Sequence, residues 1–131
     1  MPNNYFTLPL QGEFLGDYRW KLLAPFSYYL DKPGGEEVVV PINFITDGLS
    51  IPKFALTIIG GHWDGQAPQA AVIHDFLYQD QRYTRKKTDQ IFLEGMKILK
   101  VSWLKRHIMH RAVRMFAGGV WKNYGKAKGQ V

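Results

Sequence analysis

Between about Gly60 and Gln66 the apolar pattern switches from short, turn-broken runs to a helical period, and this switch limits the folds open to the chain more than any other feature. Upstream, β-branched and aromatic residues cluster in Tyr18–Leu23, Phe26–Leu30 and Glu37–Ile42, separated by turn formers. Pro33-Gly34-Gly35 predicts a hairpin between the second and third runs, and Pro41 predicts an edge or a bend there. Downstream, the spacing predicts three helices. The first runs from about Pro68, suited to the first helical position, to about Asp80, with Ile73, His74, Leu77 and Tyr78 on one face. The second starts between Thr84 and Thr88 and reaches Lys100, with Ile91, Phe92, Met96 and Leu99 as its apolar stripe. The third follows Ser102 as N-cap, with Leu104, Ile108, Ala112 and Met115 on the apolar side and Lys105, His107, Arg111 and Arg114 away from it. Gly118-Gly119 is expected to end it, with Trp121 packing back and a mobile basic tail beyond. The expected fold is α+β, N-terminal antiparallel β-hairpins or a small sheet packed against a C-terminal three-helix layer. It forms a single domain over 1–131, made of a strand and loop part (1–60), a helical part (66–121) and a basic tail (122–131).

Apolar residues make up 46% of the 131 and charged residues 21%, which excludes a disordered chain. No apolar run approaches the roughly 18 to 20 residues that cross a bilayer, so membrane insertion is not expected. The first residues lack the basic and apolar regions of a signal peptide, so synthesis and folding in a cytoplasm are expected. With no cysteine, thiolate catalysis and Cys-containing zinc sites are excluded, and any metal would be held by histidines and carboxylates. Residues 1–80 carry four Lys/Arg against nine Asp/Glu, whereas residues 81–131 carry thirteen against two, Asp89 and Glu94. That polarity either joins the halves or presents a basic face to an anionic partner such as nucleic acid.

Chemistry concentrates in two places. His74 and Asp75 stand side by side in the apolar run Ala70–Tyr78, and burying either without a partner costs several kcal/mol, so the pair must meet hydrogen bonds, a metal or a substrate. Adjacent helix positions lie about 100° apart, so both reach one groove only if it runs obliquely. The adjacent His-Asp pair resembles that of metal-dependent phosphohydrolases, with His62 and Asp89 flanking it in a similar order, although that superfamily is larger and wholly helical. The second place is Asn43–Pro52, where Thr46, Asp47 and Ser50 sit in a Gly-punctuated loop. Those side chains also suit a turn that satisfies only its own amides. His62 lies between glycines in a loop that a ligand can approach, while His107 and His110 sit among arginines as surface groups or phosphate contacts. The four tryptophans read as core or seam residues.

Phe44–Pro52, Ala71–Tyr78, Thr88–Met96 and Ala112–Trp121 together resemble, in order, the motifs of a phage-associated family known as domain of unknown function 1353. The resemblance covers roughly residues 40 to 121 and implies a protein of a tailed phage or prophage, without implying a reaction. Its polar motif positions fall on Thr46, Asp47, Gly48, Ser50, Pro52, His74, Asp75, Tyr78 and Asp89, and Leu49 stands where a small residue is usual. Two function classes follow, with a dedicated nucleic-acid binder as a third. In the first, a hydrolase acts on an anionic or cell-envelope substrate. His74, Asp75 and Asp47 are catalytic, Ser50, Tyr78 and Thr46 bind substrate, and His74, Asp75, Asp89 and Asp47 hold a divalent metal ion or work without metal as an acid/base set. In the second, the same cluster is a closed structural network, and the protein works through its surface as a virion, tail or assembly component or as a binder of a host factor.

Overall fold

The structure, a computed structural model, describes residues 5–6, 9–16, 19–46 and 67–127. Five strands precede four helices among the described residues, an α+β arrangement. The chain divides into two compact units, Met1–Asp47 and Gly48–Val131.

In the first unit, β1 (Gly12–Gly16), β2 (Arg19–Leu22) and β5 (Ile45–Thr46) form an antiparallel sheet in the order β1-β2-β5. A second sheet is the expected hairpin, β3 (Phe26–Tyr29) paired with β4 (Glu37–Val40), with Phe26 opposite Val40 and Tyr29 opposite Glu37. Gly34 supplies the left-handed backbone of the turn (φ +78), and Gly35 N–H donates to the Lys32 carbonyl at 3.0 Å. β4 alternates by the pleat, Val38 and Val40 buried and Glu37 and Val39 exposed, and it stops at Pro41, which has no N–H for the ladder. Phe26, Tyr28, Leu30, Val38 and Val40 are buried, and the Phe6 ring lies 4.7 Å from that of Tyr28. β1 is a strand that the apolar pattern does not announce, because four of its five residues are exposed and glycines stand at both ends. Gly16 (φ +91) ends it at a register shift.

The second unit holds α1 (Ala67–Asp80), α2 (Arg85–Ile98), α3 (Trp103–Phe116) and α4 (Gly118–Ala127). The caps match their sequence signals. Thr84 Oγ1 accepts from Lys87 N at 3.1 Å and Ser102 Oγ from Lys105 N at 3.3 Å. Past the end of α2, Lys100 turns left-handed (φ 66), its N–H reaching the Lys97 carbonyl and that of Val101 the Met96 carbonyl, a Schellman stop built without glycine. On α2, Ile91, Phe92, Met96 and Leu99 are all buried as the stripe requires.

Two expectations are corrected. Among its described residues the unit has four helices rather than three, because Gly118-Gly119 ends α3 yet opens α4 instead of a tail. α3 closes at Ala117, whose N–H bonds the Val113 carbonyl at 3.1 Å, and Trp121 N–H then bonds Ala117. Gly118 lies beside the Arg85 guanidinium. Trp121 does pack back, its ring edge-on to Tyr78 at 5.0 Å, with Gln81 Nε2 donating to its carbonyl at 2.8 Å. These anchors carry helix into residues 122–127, and residues 128–131 lie outside the described residues. The face of α3 is also corrected: Met109, Ala112 and Val113 are buried, whereas Leu104 and Met115 are 62% and 70% exposed. The α3 sequence allows either stripe, with Ala112 between them, and packing against α2 and α4 selects the second.

Candidate functional site

Asp89 is the centre of the helical unit. It stands on α2 three residues before Phe92 and seven before Met96, in phase with the apolar stripe, and is 0% exposed. His74 and Tyr78 are four apart on α1, so they project from one side of it, and both reach the same oxygen. Asp89 Oδ1 accepts from His74 Nε2 at 2.8 Å and from the Tyr78 hydroxyl at 2.8 Å. Oδ2 accepts from Arg114 Nη1 of α3 at 2.8 Å, and Arg85 Nε lies 3.8 Å away. One carboxylate thereby joins three helices.

Burial alone would raise the Asp89 carboxyl. The hydrogen bond and charge of His74, with the bonds from Arg114 and Tyr78, outweigh it and hold the group below its ordinary 3.8. Asp89 is therefore ionised and can only accept, which fixes the proton of the shared bond on His74 Nε2. Burial first, then the neighbouring Asp89 charge, push the Tyr78 phenol far above its ordinary 10.0, so it stays a donor. The imidazole is 0% exposed, its ring centroid 4.3 Å from that of Tyr78 and 4.6 Å from that of Phe92.

Arg85 ties this centre to the end of α3. Its Nε donates to the Tyr78 hydroxyl at 3.3 Å and its Nη2 to the carbonyls of Val113 and Arg114 at 2.8 and 2.6 Å. His110, four residues before Arg114, is half-buried. Burial, then the charge of Arg114, hold its imidazole below the ordinary 6.5 despite the opposing Asp89.

Of the residues singled out from sequence, the structure joins His74, Tyr78 and Asp89. Asp75 is buried one position further round α1. Thr46 is buried at the end of β5, opposite Trp20, in the other unit. Asp47, Gly48, Leu49, Ser50, Pro52 and His62 lie outside the described residues. Among the described residues no three His, Asp or Glu side chains form a metal-holding group. The donor set at Asp89 does not suit a cation as it stands, because each oxygen meets an N–H or O–H and one of those donors is a guanidinium. Sequence reading missed Arg85 and Arg114, both counted only among the thirteen Lys/Arg of residues 81–131. The signal was there in Asp89 itself, an acid in register with Phe92 and Met96, which calls for cations from neighbouring helices.

Residues 20–113 match the family model described as "Protein of unknown function (DUF1353)". The chain belongs to this family. It is similar to two proteins of Sinorhizobium fredii. "Uncharacterized protein y4jT" is 34% identical over 97 residues, covering 74% of this chain and 28% of that protein. "Uncharacterized protein y4iH" is 31% identical over 102 residues, covering 77% and 42%. The chain thus spans less than half the length of these curated relatives. No solved structure matches it. No helix among the described residues is long and apolar enough to cross a membrane.

Proposed function

We propose that this chain is a binding module, its His-Asp cluster a structural network and its basic helical half the contact face. One observation carries this reading: the buried Asp89 carboxylate has both oxygens engaged by side chains of three helices, which is how a charge is held for architecture. The proposed setting, from the ordered motifs, is a phage or prophage virion, tail or assembly role, or capture of a host factor, with nucleic acid as the other anionic partner.

A second reading, a hydrolase, has one observation in its favour. Asp89 accepts from His74 Nε2, the arrangement of a carboxylate-oriented imidazole. In it Asp47 and Asp75 join His74 as catalytic or metal-holding groups, and Thr46, Ser50 and Tyr78 meet an anionic substrate.

Metal analysis and melting of the wild type beside His74→Ala, Asp75→Asn and Asp89→Asn separate the two. The binding module predicts variants that melt lower and no stoichiometric divalent ion to lose. A wild type that purifies with a bound divalent ion, released by His74→Ala or Asp75→Asn at unchanged melting temperature, overturns it in favour of the hydrolase.

A further inference from the structure

We draw no further inference here: the strongest candidate, the exposed apolar face of α3 formed by Leu104 and Met115, carries nothing because nothing in the structure shows what covers it.

Discussion

The two units of this chain hold their interiors by opposite means. In the strand unit the buried residues of the β3-β4 hairpin are almost all apolar, and the ion pair of Lys21 with Glu13, at 3.5 Å, lies at the exposed surface. In the helical unit an ionised carboxylate sits at the centre, with an imidazole, a phenol and two guanidinium groups arranged around it. The interior of the β3-β4 hairpin therefore holds no charged side chain, whereas the helical unit has one that it cannot lose. The difference teaches that amphipathic pattern alone can complete a small sheet, while short helices of mixed polarity need a specific buried pairing to fix their mutual register.

The largest effect that would break this contrast is at Asp89. Asp89→Ala strands the donors on His74, Tyr78 and Arg114 in the interior and is expected to destabilise the helical unit by about 3–5 kcal/mol in denaturant unfolding. A loss within the noise of surface substitutions would show that the network is ornamental. Phe26→Ala is expected to cost a similar amount, about 3–5 kcal/mol, by leaving a cavity in the strand unit. Only the Asp89 effect should depend on pH. Because the folded Asp89 carboxyl lies below 3.8, its contribution is complete at neutral pH and is lost as pH falls from near 3.8 toward the folded value, the unfolded chain taking up the proton first. Acid titration of stability should show this limb in the wild type and Phe26→Ala, and not in Asp89→Asn.

Arg85→Gln sharpens the contrast at intermediate size. It removes charged donors from the Val113 and Arg114 carbonyls, with an expected loss of about 1.5–3 kcal/mol confined to helical amides in hydrogen exchange. Equal loss in the strand unit would mean that the two units unfold as one. The smallest effect has the opposite sign. The Thr88 hydroxyl, beside Asp89 in sequence, is buried with no hydrogen-bond partner, so Thr88→Val keeps the shape, removes an unmet polar group and should stabilise by about 1 kcal/mol.

Local signals carried most of the secondary structure. Ser102 marked its helix start and Pro33-Gly34-Gly35 its hairpin, because each acts through its own backbone. β1 was hidden because a mostly exposed strand between glycines leaves no alternation to detect. α3 was assigned the wrong face because two stripes sharing Ala112 were available and only packing against the other helices chooses between them. The same holds at the site. His74 and Tyr78 were legible from their place in a buried run, and Asp89 as the acid that follows the His-Asp pair. Arg85 and Arg114 were not, since a cation's role depends on which carboxylate the fold brings beneath it. Asp47, Ser50 and their loop lie outside the described residues.

Arg85 occupies the first turn of α2, where the helix's own dipole disfavours a cation, yet its guanidinium serves the last carbonyls of α3, where positive charge is favoured. The consequence is kinetic: the opening of one helix and the closing of another share a single side chain, so fraying at either point should expose both at once, as one cooperative event rather than two.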